Sequence, residues 1–166
     1  VKKIKKYLIE FVEKESEVFS GYPVCPFAEK ERVDNKIKFV TTSFKSIKAE
    51  SVLAEAVDFL NQPYSTLLFI SDDKPSYIET KYFFKCIATL LKDRCNIFLF
   101  HEEDKRSYGG LYTRRSPEPF IMVGYKKHIK HKKKQLLKTK YYKKLTKEEL
   151  LQLHPKRKKT WEKLNK

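Results

Sequence analysis

The stretch Ser65 to Ser71 is apolar without alternation from Leu67 through Ile70, and Pro63 and Asp72-Asp73-Lys74-Pro75 fence it on either side. A run this short and this uniformly apolar suits a strand buried on both faces, which requires helices above and below a sheet. Its neighbours agree. Lys36 to Ser43 alternates Ile37, Phe39 and Thr41 with Lys36, Lys38 and Val40 and reads as a first strand. In Ile47 to Asn61, Val52, Leu53, Ala56, Phe59 and Leu60 recur at helical spacing. After the central strand, Ser76 and Glu79 have the spacing of a capping box, and Tyr77, Phe83, Ile87 and Leu91 give the following helix an apolar face. Asn96 to His101 is a third strand, and Phe120 to Tyr125 a fourth, reached through the long loop Glu102 to Pro119. An opening helix is expected over Lys2 to Phe19, where Ile4, Leu8, Phe11, Val12, Val18 and Phe19 mostly keep helical spacing. The order strand, helix, strand, helix, strand predicts an α/β domain of two or three layers, with a mostly parallel or mixed sheet of about four strands.

The charge is divided unevenly along this framework. The chain of 166 residues carries a net +16, but residues 1–125 account for only +2 and residues 126–166 for +14. The expected organisation is therefore an α/β domain over 1–125 and a Lys-rich, partly helical C-terminal extension over 126–166. Thr146 and Glu149 are placed to cap a short helix through Leu150, Leu151 and Leu153 in that extension. No apolar run approaches the ~20 residues a bilayer span needs. The opening lysines are followed by Glu10 and Glu13, unlike a secretory signal, and three cysteines without a C-x-x-C pair suit reduced thiols, so a cytoplasmic protein is expected.

Loops at the carboxyl ends of parallel strands converge on one edge, which locates a candidate site. Asp72 follows the second strand, and His101 ends the third beside Glu102, Glu103 and Asp104, where a carboxylate can tune its protonation. Cys25, between Pro23 and Pro26, is the cysteine outside regular structure and the candidate nucleophile if a neighbouring cation favours its thiolate. Cys86 falls on a helix face and Cys95 at the start of a strand. Arg114, Arg115 and Ser116 lie in a proline-stiffened loop suited to holding a carboxylate or phosphate. His128 and His131 sit in a lysine run that repels cations, so no metal is expected.

Several of these segments, taken in order, carry a resemblance: Cys25-Pro26-Phe27-Ala28, Ser65-Thr66-Leu67-Leu68-Phe69, His101 with its acidic loop and Gly110, and Tyr112-Thr113-x-Arg115-Ser116-Pro117-x-Pro119. Over roughly residues 4–125 the chain resembles small bacterial proteins catalogued as domains of unknown function, which share a C-P-F-A segment and a later N-R-S-P-x-P segment. The resemblance implies that Cys25, His101, Arg115 and Ser116 belong to one feature. It brings no established activity.

The expectation is a pocket for an anionic small molecule, with Cys25 and His101 as catalytic candidates and Arg114, Arg115, Ser116 and Asp72 as binding residues. Whether it is an enzyme stays open, and nothing in the sequence names a cofactor. The alternative is a module that binds RNA or DNA through its basic tail, with Lys130, Lys132, Lys133 and Lys134 on phosphates and Tyr141, Tyr142 and Trp161 available for stacking.

Overall fold

The computed structural model describes residues 1–153; Trp161 and the cluster Lys156-Arg157-Lys158-Lys159 lie outside the described residues. The elements follow as α1 (Lys2–Tyr7), α2 (Ala28–Val33), β1 (Ile37–Thr42), α3 (Ala49–Asn61), β2 (Thr66–Ser71), α4 (Tyr77–Leu91), β3 (Cys95–Phe100), β4 (Phe120–Tyr125), α5 (Lys126–Leu136) and α6 (Lys147–Leu153). The sheet has the order β1-β2-β4-β3. β1 and β2 pair in parallel, while β4 runs antiparallel to both β2 and β3. The fold is thus α/β with one mixed four-stranded sheet.

Alternation along the strands divides the interior. Leu67, Phe69, Leu99, Ile121 and Val123 pack with Val52, Ala56 and Phe59 of α3 and Phe83, Ile87 and Leu91 of α4. Leu68, Ile70 and Phe120 turn the other way and pack with Ile4 and Leu8. Every residue of β2 is buried, because this strand has a neighbour on each side and helical cover on both faces. The α4 capping box is present: Glu79 N donates to Ser76 Oγ at 3.3 Å, and Ser76 N donates to Glu79 Oε2 at 2.7 Å.

Two expectations change. The opening helix does not reach Phe19: after α1 it loosens into a π-helical turn over Leu8–Val12 and stops. Val18 and Phe19 leave that helix face because they serve a different cluster, in which Phe19 stacks on Tyr141 at a ring separation of 4.7 Å. The boundary expected between residues 125 and 126 does not separate two bodies among the described residues. Tyr141, Tyr142, Leu145 and Leu150 are buried together with Phe19 and Tyr108, and the Tyr141 hydroxyl donates to Val24 O. Thr146 and Glu149 cap α6 reciprocally, and Glu149 also receives Gly109 N–H. Gly124 lets α5 come close to the sheet, since a Cβ there would stand 3.0 Å from Ile129 Cδ1. No helix among the described residues is long and apolar enough to cross a membrane.

Candidate functional site

The carboxyl edge of the parallel strands is held together by Asp73, not by Asp72. Asp72 is exposed, and its N–H donates to Thr42 O at 3.3 Å. Asp73 reaches from β2 to the end of β1, accepting from Ser43 Oγ, from Ser71 Oγ at 2.7 Å, and from the N–H groups of Lys45 and Phe44 at 2.9 and 3.2 Å. Burial works against its charge, but these hydrogen bonds outweigh burial and hold its pKa at about 2, below the ordinary 3.8. The carboxylate therefore stabilises the fold above about pH 3.8, and that contribution disappears as pH falls through about 2. Asp73→Asn is expected to cost about 2 kcal/mol at neutral pH, because an amide cannot accept from all these donors. About 1 kcal/mol of that gap closes near pH 2, after allowing for solvent screening at a partly exposed group. Urea unfolding of both proteins at pH 7 and pH 2 checks this; a gap that does not change with pH counts against the carboxylate.

His101 is 1 % exposed and fully engaged. Its Nδ1 accepts Glu103 N–H at 3.1 Å, its Nε2 lies 3.3 Å from Pro75 O, and its ring tilts against Tyr77 on the α4 side of the sheet. These partners define the tautomer with the proton on Nε2. Ser116 is buried and donates to Glu118 O at 2.7 Å. Arg115 is exposed, with its guanidinium 3.6 Å above the Tyr112 ring and its Nε donating to Asp104 O at 3.2 Å. The Asp104 carboxylate instead takes Arg106, whose backbone N–H and Nε each lie 2.9 Å from Oδ1.

On the opposite face of the sheet lies a cavity of about 260 Å³. Leu68, Phe98, Phe100 and Met122 form its floor. Val12, Val24, Cys25 and Phe27 contribute one wall, and Ile129, Lys132 and Leu136 of α5 contribute another. Cys25 and Arg114 both line it; His101, Arg115, Ser116 and Asp72 do not. The structure thus separates the residues expected to form one feature, because odd and even positions of β3 face opposite sides and His101 continues the side of Leu99.

Two polar groups on this side are orphaned. Arg114 lies over the rings of Phe98 and Phe100, at 4.6 and 4.9 Å, and its buried Nη1 has no hydrogen-bond partner among the described residues. Burial, and then the like charge of Arg106, lower its pKa to about 10, so it stays cationic at neutral pH. The buried Tyr7 hydroxyl is also without a partner, and burial pushes its pKa up despite the nearby Arg114 charge. For Cys25, burial raises the thiol pKa against the opposing pull of Phe27 N–H and the Lys132 charge. The expected ready thiolate is not favoured here, because burial dominates and the Glu31 charge that pairs with Lys132 adds to it.

Glu31 was missed as part of this wall; its carboxylate also accepts Thr66 Oγ1 at 3.0 Å. Lys132 and Lys133 turn inward: the first pairs with Glu31, and the second donates to Leu153 O at 3.1 Å. Lys130 and Lys134 remain exposed. The stripe Ile129, Lys132, Lys133, Leu136 at helical spacing was the signal for that inward face. Comparison of the chain with family models, curated proteins and solved structures finds no match.

Proposed function

We propose that this protein binds a small anion with an apolar body in the cavity between the sheet and α5. The observation that carries this reading is Arg114, which lines the cavity beside its apolar floor and whose buried Nη1 has no partner among the described residues. A buried cationic nitrogen without a hydrogen-bond acceptor is costly, and native interiors rarely leave such groups unsatisfied. An anionic head group would accept from Arg114 Nη1, while its apolar part would lie on Leu68, Phe98 and Met122.

Size narrows the ligand. At ~30 Å³ per water-sized group, a cavity of about 260 Å³ takes roughly nine non-hydrogen atoms. That is the scale of a medium-chain carboxylate. The reading is of a binding site: His101, the other catalytic candidate, does not line this cavity and follows the Leu99 side of the sheet.

Isothermal titration with octanoate, octanol and octylamine tests this directly. Octanoate is expected to bind at least tenfold more tightly than octanol, with octylamine weakest, and to slow iodoacetamide labelling of Cys25 without slowing that of exposed Cys86. Equal binding of octanoate and octanol would remove the anion from the reading.

A further inference from the structure

We infer that the open edge of β3 accepts an acidic extended segment of a partner protein as a fifth strand. β3 ends the sheet and pairs with β4 on one side only. Just before it, Arg94 O receives Lys126 N–H at 3.0 Å on the β4 side. Backbone groups alternate direction along a strand, so those of Cys95, Ile97 and Leu99 point to the outer edge. Leu99 O is met there by Arg106 Nη2 at 3.1 Å, which fits that direction. Nothing among the described residues bonds the outward N–H and C=O of Ile97.

A groove of about 660 Å³ runs along this edge. Its floor includes Phe84, Ile97 and Leu99, and its cations are Lys81 and Lys85 from α4 with Lys105 and Arg106 from the loop after β3. The one carboxylate in its lining, Asp104, is completely buried and already pairs with Arg106. No carboxylate among the described residues forms an ion pair with Lys81, Lys85 or Lys105.

The combination selects the occupant. An unpaired strand edge offers main-chain hydrogen bonds, and every second residue of an added strand faces the α4 side, where carboxylates meet Lys81 and Lys85 while the intervening side chains face the other way. A second copy of this chain is disfavoured because its own β3 edge brings the same cations. Residues 154–166 are disfavoured because they too are strongly basic. Lysines beside an edge also discourage indiscriminate pairing, which leaves an acidic strand as the sequence they admit.

Fluorescence anisotropy on the full chain would use a labelled, end-capped peptide of alternating Glu and Val, seven residues long. The expected result is saturable binding that weakens at least tenfold in the K81E/K85E variant and at least tenfold when proline replaces the central valine. The proline peptide keeps the charge but loses an N–H, so its equal binding would overturn strand addition. Equal binding of a Lys/Val peptide, full competition by a short oligonucleotide at matched charge, or edge-to-edge dimerisation that blocks the peptide would also overturn it. Circular dichroism confirms that the variant is folded; both lysines are exposed, so it is expected to match the wild type.

Discussion

Truncation after Tyr125 is expected to destroy cooperative folding, not to release an intact body from a solvated tail. The cut removes Tyr141, Tyr142, Leu145 and Leu150, each no more than 7 % exposed. At ~2 kcal/mol for each such side chain, their burial alone contributes about 8 kcal/mol, on the scale of the ~5–15 kcal/mol that holds a whole domain folded. The remainder is left with Phe19 and Tyr108 uncovered, Val24 O without the Tyr141 hydroxyl, and Glu31 without Lys132. Near-ultraviolet circular dichroism and urea titration are expected to show a broad transition at low denaturant, with increased binding of a hydrophobic dye. A sharp transition within ~1 kcal/mol of the full chain would show that residues 126–153 are dispensable for the fold.

The tail shows why charge counting and packing can give different answers. Seventeen cations against three carboxylates in residues 126–166 describe a solvated extension, yet composition does not register which side of a helix each residue occupies. Lys132 and Lys133 lie between Ile129 and Leu136 on the inward stripe of α5, and their long aliphatic stems allow burial while the amines reach Glu31 and Leu153 O. The strands were legible because their signal is local. β2 announces two-sided burial by uniform apolarity, and Ser76 with Glu79 announces the start of α4. The direction of β4 was not legible, since the loop from 101 to 119 is long enough to return the chain either way. Its insertion between β2 and β3 is settled by pairing that no local pattern encodes.

The candidate site divides along the same line. Strand ends put Asp72 and His101 near one edge, but the clasp falls to Asp73 because its side chain reaches Ser43 and two N–H groups of the β1 end. Cys25 and Arg114 reach the cavity from segments about ninety residues apart, and only tertiary packing brings them to the Phe98 side of β3. Arg114 and Arg115 are adjacent in sequence and opposite in circumstance: one lies with a buried, unpaired nitrogen over two phenylalanines, the other is exposed over Tyr112.

That contrast supports a prediction in which stability and binding move in opposite directions. Arg114→Met is expected to stabilise the ligand-free protein by about 1–2 kcal/mol, since a thioether suits Phe98 and Phe100 and removes a desolvated charge. The folded value of about 10 and the higher ordinary guanidinium value both lie above neutrality, so the charge penalty is fully present at pH 7 and fades only as pH rises past about 10. The cation–π contacts offset part of the penalty, which keeps the expected gain small. The same substitution removes the partner for an anionic head group and should weaken octanoate binding about 100-fold, the equivalent of roughly 3 kcal/mol from a charge-assisted contact. Arg115→Met should leave octanoate affinity unchanged. Urea unfolding and titration calorimetry on the two variants decide the matter. If Arg114→Met instead destabilises the protein by more than ~2 kcal/mol, the guanidinium is a structural anchor held by its two rings, and the cavity loses the group that gave it a preference for anions.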